Sequence, residues 1–253
     1  MKNIIKEFVK GSGQYTILPE GKRIKNAIEE KLESYLTKEI GFEEVELPKI
    51  VPRSTLEKAG ILDRWNDYLI SVKPYGETKG VKDEYIMDPL QCLACYQAFE
   101  DDTIDVSKGP LKWYDCSGPT YRNEELDKIK PGVKQREFHR AEYVYIGTKE
   151  QVEETREKCL SQLIKLCTDL GLKNREVTGD SCYQEGGNIK DVEVYIPHEN
   201  KWLELAGAAV LHEIVTSKFN IKGENGEQLH SGCTGIGLDR FMYALVSNGV
   251  DLK

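Results

Sequence analysis

Near its C-terminus the chain places Gly235-Ile236-Gly237 directly before Leu238-Asp239-Arg240 and the apolar run Phe241–Val246. Glycines where a strand gives way to a helix let the backbone approach a ligand closely. An arginine just inside that helix presents a planar fork of donors suited to phosphate. Alone, a Gly-x-Gly turn fits simple helix–strand packing equally well. A second group upstream adds to it: Tyr121-Arg122-Asn123-Glu124, then, past a polar loop, Phe138-His139-Arg140-Ala141-Glu142. Sulfur donors form a third group. Cys92 and Cys95 make a C-x-x-C, and Cys233 lies in Ser231-Gly232-Cys233. A C-x-x-C is a thiol pair or half of a structural zinc site, and no second one is present to complete four sulfur ligands.

These residues must be held by regular elements. Residues 19 to 40 carry Ile24, Ala27, Ile28, Leu32, Tyr35, Leu36 and Ile40 at helical spacing, and Gly41 stops the helix. Phe42–Leu47 alternates as a strand ending at Pro48. Tyr85–Asp88, Trp113–Cys116 and Tyr143–Ile146 read as short strands, and 149 to 171 as a second long helix with Val152, Cys159, Leu160, Leu163, Ile164, Cys167 and Leu170 on one face. Strand patterns follow at Asp191–Ile196, Trp202–Leu205 and Ala209–Val215. Strands that do not alternate with helices favour an α+β fold, an antiparallel sheet flanked by helices, over a doubly wound parallel sheet.

Taken in order, Gly41–Pro48 after a long helix, Tyr121–Glu124 with Phe138 and Glu142, and Gly235–Arg240 resemble the three signature motifs of class II aminoacyl-tRNA synthetases. The resemblance implies ATP-dependent formation of an aminoacyl-adenylate. Arg122 would hold the α-phosphate and the attacked carboxylate, Glu124 the adenine amino group, and Phe138 the adenine face. Arg240 would lie against the ring and the γ-phosphate, with Lys134 or Arg136 as a further phosphate contact. Glu193 and Glu204 are candidates for holding Mg²⁺, unless they merely form a polar strand face. The family usually has Glu before the last arginine; here it is Asp239.

Asp88-Pro89-Leu90-Gln91-Cys92, the segment Phe138–Thr148 and Ser231–Cys233 resemble the zinc-dependent seryl-tRNA synthetases of methanogens. That resemblance implies Zn²⁺ on Cys92, Glu142 and Cys233 with one position open for the substrate amino group, Cys95 being the alternative to Cys92. Cys116, Cys159, Cys167 and Cys182 read as packing or surface residues, and His139, beside Phe138, either as a nucleotide contact or as a solvated loop residue.

Composition sets the remaining expectations. The chain of 253 residues carries a net charge of −8, which argues against a general nucleic-acid binder. No signal peptide or membrane-spanning run is read, and seven scattered cysteines suit a reducing cytoplasm. The first motif begins near residue 19, so residues 1–253 read as one catalytic domain without a tRNA-binding extension. A bare core of this kind resembles the amino acid:carrier-protein ligases. It implies a homodimer that passes a small amino acid (serine, glycine or alanine) to the phosphopantetheine thiol of a carrier protein, tRNA being the less expected acceptor. The alternatives are a truncated seryl-type enzyme that charges tRNA or another acceptor, and a non-catalytic paralogue that binds a partner.

Overall fold

The computed structural model describes residues 1, 3–73, 75, 76, 84–181, 183 and 186–252; Cys182 lies outside the described residues. Eight strands form the main sheet. They are β1 (Glu43–Glu44), β2 (Leu111–Asp115), β3 (Pro119–Tyr121), β4 (Glu137–Gly147), β5 (Asn174–Thr178), β6 (Asn188–Ile196), β7 (Lys201–His212) and β8 (His230–Gly237). Their order is β5-β6-β7-β8-β4-β2-β1, with β3 paired to the start of β4. Every pairing is antiparallel except β1 with β2. The helices that matter here are α1 (Pro19–Leu32), α2 (Cys92–Ala98), α3 (Lys149–Asp169) and α4 (Leu238–Ser247). The expected α+β architecture is the one observed.

Alternation along β4 divides its residues between two cores. Ala141, Tyr143 and Tyr145 point to one face and pack with Leu160 and Leu163 of α3 and Phe241 of α4. Val144 and Ile146 point to the other and pack with Leu93, Cys95 and Tyr96 of α2. Each fully buried large apolar side chain contributes about 1.5–3 kcal/mol, so both faces are strongly fixed. A one-residue slip of β4 would exchange the two sets, which pins Arg140 and Glu142 to the α2 side. The start of α3 is set by a capping box, with Thr148 Oγ1 accepting from the Gln151 amide at 3.3 Å and Gln151 Oε1 from the Thr148 amide at 2.9 Å.

Two expectations change. The runs Trp202–Leu205 and Ala209–Val215 belong to the single strand β7, ending at His212. The small residues Ala206-Gly207-Ala208 interrupt the hydrophobic pattern, but β6 and β8 bond the strand on both sides and carry it through. The expected strand Phe42–Leu47 shrinks to Glu43–Glu44, an edge with one neighbour. Gly41, at φ +81°, ends the helical stretch that continues α1 through a π-type segment at Glu33–Lys38.

Candidate active site

Directly opposed residues of neighbouring strands share a face. Glu142 stands opposite Gly235, and Gly235 opposite Gly207. Two bare glycines therefore open the sheet surface beside Arg140 and Glu142. A β-carbon at Gly235 would overlap the Arg140 guanidinium and come within 2.8 Å of Glu142 Oε2. The cavity here is bordered by Arg122, Glu124, Lys134, Phe138, Glu204 and Arg240, with the glycines of β7 and β8 behind them.

Arg122 follows β3 directly, and its guanidinium lies 4.7 Å from the Trp65 ring and 5.1 Å from the Phe138 ring. Its Nε donates to the Pro89 carbonyl at 3.3 Å. Burial, with the nearby Arg140 guanidinium, pushes Arg122 down to about 10. Glu124 is paired with Lys134 at 3.0 Å. Arg240, in the first turn of α4, donates from Nε to the Val133 carbonyl at 3.0 Å and pairs with Glu204 Oε1 at 3.1 Å. Cations from three separate segments, Arg122, Lys134 and Arg240, thus border one cavity.

Several assigned residues sit elsewhere. Arg136 is turned back onto the loop, its Nε donating to the Glu124 carbonyl at 3.1 Å, so Lys134 is the loop cation that reaches the cavity. Glu193 is held by Arg175, at 2.7 Å to Nε and 2.6 Å to Nη2, and does not border the cavity. Glu193 stands opposite Glu204 on one side and opposite Arg175 of β5 on the other, and Arg175 engages its carboxylate. Asp239 serves the backbone: it accepts the His139 amide at 2.8 Å, tying α4 to β4. Sequence reasoning gave no role to Arg140, Trp65 or Asp191. Burial and the carboxylates of Glu204 and Glu193 hold Asp191 up at about 6. Alternation from Glu142 back to Arg140 was the available signal for the first; nothing periodic marks Trp65.

The sulfur donors are positioned by a polar turn. Asp88 Oδ1 accepts the amides of Leu90 at 3.1 Å and Gln91 at 2.9 Å. The Gln91 side chain donates to Asp115 Oδ2 at 2.7 Å, and Lys49 pairs with the same carboxylate. This holds Gln91 at φ +61° and delivers Cys92 at the start of α2. One donor atom each from Cys92, Glu142 and Cys233 lies within 4.8 Å of the others. Glu142 Oε1 is buried without a hydrogen-bond partner, while Arg140 pairs with Oε2. Two thiols and an orphaned carboxylate oxygen fit a zinc ion. Cys95, one turn on, is fully buried and outside this set; burial pushes its thiol well up.

An antiparallel sheet carrying this cavity at the junction of β8 and α4 defines a class II synthetase core. Residues 75–249 match the model of the family described as tRNA synthetase class II core domain (G, H, P, S and T), and the chain belongs to that family. Its relatives are of the methanogen seryl type. A type-2 serine–tRNA ligase of Methanopyrus kandleri is 28% identical over 96% of this chain and 54% of its own length. That of Methanocaldococcus jannaschii is 31% identical over 92% of this chain and 52% of its own. The crystal structure of M. kandleri SerRS in complex with A. aeolicus tRNASec superposes with a TM-score of 0.87 at 26% identity, covering 96% of this chain and 55% of that one. Giardia lamblia prolyl-tRNA synthetase with prolyl-adenylate shares the fold, with a TM-score of 0.83 at 20% identity, covering 96% of this chain and 50% of that one. The chain spans about half the length of the curated relatives it matches.

These likenesses correct the expected acceptor. The relatives are serine–tRNA ligases and the solved neighbour is a tRNA complex, so transfer to a carrier protein's phosphopantetheine is set aside, as is the view that tRNA is unsuitable. The carrier-protein expectation rests on the likeness to a bare core, and the net charge of −8 that agreed with it is no argument against a polyanionic partner. Net charge averages the whole surface, whereas a phosphate backbone meets one patch of it. Among the described residues, no helix is long and apolar enough to cross a membrane.

Proposed function

We propose that this chain activates a small amino acid, serine foremost, with ATP and transfers it to the terminal ribose hydroxyl of a tRNA-type acceptor. The reading rests on the convergence of Arg122, Arg240 and Phe138 at one cavity, with the Cys92–Glu142–Cys233 cluster on the same sheet face beyond Arg140. In the first step the amino acid carboxylate attacks the α-phosphorus of ATP, and the bond to the β-phosphate breaks. Negative charge grows on the oxygens around the α-phosphorus. Arg122 stabilises it from a position already fixed by Trp65, Phe138 and Pro89, with little reorganisation left to do. Phe138 offers a face for the adenine and Glu124 an acceptor for its amino group. Arg240 and Lys134 take the departing phosphates. Asp191 and Glu204 are the carboxylates suited to Mg²⁺, in place of the pair Glu193 and Glu204. A zinc ion on Cys92, Glu142 and Cys233 would hold the α-amino group of the amino acid.

The test is amino-acid-dependent exchange of labelled pyrophosphate into ATP, with serine, glycine and alanine in parallel. Acylation of total tRNA follows with whichever amino acid is active. Serine-dependent exchange and label on tRNA support the reading. Exchange with none of the three would overturn the activation step, and exchange without tRNA acylation would overturn the acceptor.

A further inference from the structure

We infer that the far end of the sheet carries a second metal site, a sulfur-free His–His–Glu cluster for a divalent transition ion such as Zn²⁺. Its residues are His212, Glu213 and His230. One donor atom from each lies within 4.8 Å of the others. The imidazoles meet edge-on, 5.7 Å between centroids at 85°. His230 Nδ1 is shielded from water and has no hydrogen-bond partner, and the Glu213 carboxylate stands 3.6 Å from it. A shielded ring nitrogen without a hydrogen bond, beside a second imidazole and a carboxylate, is a lone pair placed to ligate a metal ion.

The backbone builds this arrangement. His212 ends β7, and the ladder slips between Val210 and His212 so that His212 faces Ser231, next to His230 at the start of β8. His212 occupies the left-handed region at φ +49°, which non-glycine residues seldom adopt. That conformation ends the strand and turns Glu213 out at a site where both rings already meet.

Two imidazoles and one carboxylate suit zinc and its transition-metal neighbours, and would leave positions for water. The site is distinct from the cysteine cluster. Along β8, His230 shares the face of Gly232 and Thr234, on the α3 side, whereas Cys233 lies on the opposite face with Gly235. A bound ion would join the end of β7 to the start of β8 and so close the excursion 213–229 between them, stabilising the folded chain in proportion to its occupancy.

Histidine labelling tests this directly. The chain has four histidines, His139, His198, His212 and His230, and the cysteine cluster contains none. Zinc taken up by the cysteines therefore leaves the readout unmoved. The full chain is treated with diethyl pyrocarbonate with and without Zn²⁺, and each histidine is followed by peptide mass spectrometry. We expect Zn²⁺ to slow labelling of His212 and His230 at least tenfold, with His139 and His198 unchanged and Mg²⁺ without effect. Equal labelling of His212 and His230 with and without Zn²⁺ overturns the site. In equilibrium dialysis the double variant His212→Gln, His230→Gln should bind one Zn²⁺ fewer per chain than the parent. An unchanged stoichiometry in a variant with parental circular dichroism overturns it equally. Should that variant fail to fold, the labelling of the parent chain decides alone.

Discussion

Replacing Arg122 by methionine separates catalysis from stability, because burial and a neighbouring cation oppose the charge this residue carries. Burial and the neighbouring Arg140 lower its pKa from 12.5 to about 10. At 1.36 kcal/mol per pH unit, the charged side chain therefore costs the folded state at most about 3 kcal/mol at neutral pH. The sign follows from linkage. A cation whose pKa falls on folding destabilises the native state while it remains charged, throughout the range below about 10. Against this stand two cation–π contacts, at 4.7 and 5.1 Å, contributing roughly 0.5–2 kcal/mol each. The hydrogen bond to the Pro89 carbonyl adds about 1 kcal/mol. The contributions nearly cancel, and methionine keeps most of the volume between the rings. Arg122→Met should leave the unfolding free energy within about 1–2 kcal/mol of the parent, a melting shift of no more than about 2–8 °C for a chain of this size. Pyrophosphate exchange should fall about 10²–10³-fold or more, the usual loss of one preorganised donor to a developing oxyanion. Calorimetry and the exchange assay on the same preparation check both halves. A melting drop beyond about 10 °C with exchange reduced only in step with the folded fraction would refute the argument and make Arg122 a structural residue.

Gly235→Ala should reduce exchange by about 100-fold, since its methyl displaces Arg140 from Glu142; undiminished exchange would show that this pair has no part in the site. Cys92→Ser and Cys233→Ser should each lose bound zinc, by elemental analysis, together with amino-acid-dependent exchange. Full exchange by a zinc-free protein would break that link. His139 supplies a pH signature: burial, with Lys25 and Lys22 nearby, holds it at about 4, below the ordinary 6.5. Its unfolded form takes up a proton first on acidification, so it costs stability progressively as pH falls from 6.5 toward 4, by at most about 3 kcal/mol. The difference in denaturant midpoint between the parent and His139→Gln should therefore widen over that interval, and a difference that stays constant would assign the acid sensitivity elsewhere.

What was legible in the sequence was whatever local periodicity controls. The strand-to-helix junction at Gly237, the long face of α3 and the Tyr143–Ile146 end of β4 were visible in the sequence, whereas the reach of β4 back to Glu137, with His139 on it, was not. Geometry set by irregular backbone was not. Glu193 was assigned with Glu204, and the two do stand opposite each other across β6 and β7, but only the fold shows that Arg175 on β5 engages the Glu193 carboxylate. Lys134 and Arg136 stand two apart in one loop, and only the fold shows that Arg136 is spent on the Glu124 carbonyl. Cys92 and Cys95 differ by one helical turn, which places the first beside Glu142 and the second in the apolar core. Trp65 arrives from the short helix Leu62–Trp65, with nothing in its surroundings to connect it to Arg122.

Charge has opposite meanings at the two scales of this molecule. The chain is acidic as a whole, yet Arg122, Lys134, Arg140 and Arg240 border one cavity with only Glu124, Glu204 and Asp239 as carboxylates. Asp239 is weakened further, its carboxyl held up by burial and engaged by the His139 amide. Burial is the first cause of the lowered Arg122 pKa, and the neighbouring Arg140 guanidinium adds to it even though Glu142 is paired with Arg140. A polyphosphate bound beside Arg122 would offset the repulsion from Arg140, so part of its affinity would come from relieving the protein and not only from the contacts made. The surrounding acidic surface opposes the same anion at long range, with a force that salt screens within about 10 Å. Raising ionic strength should therefore weaken ATP binding less than it would for a site made only of exposed lysines, because Arg140 is shielded while Lys134 and Arg240, 34% and 30% exposed, remain open to screening.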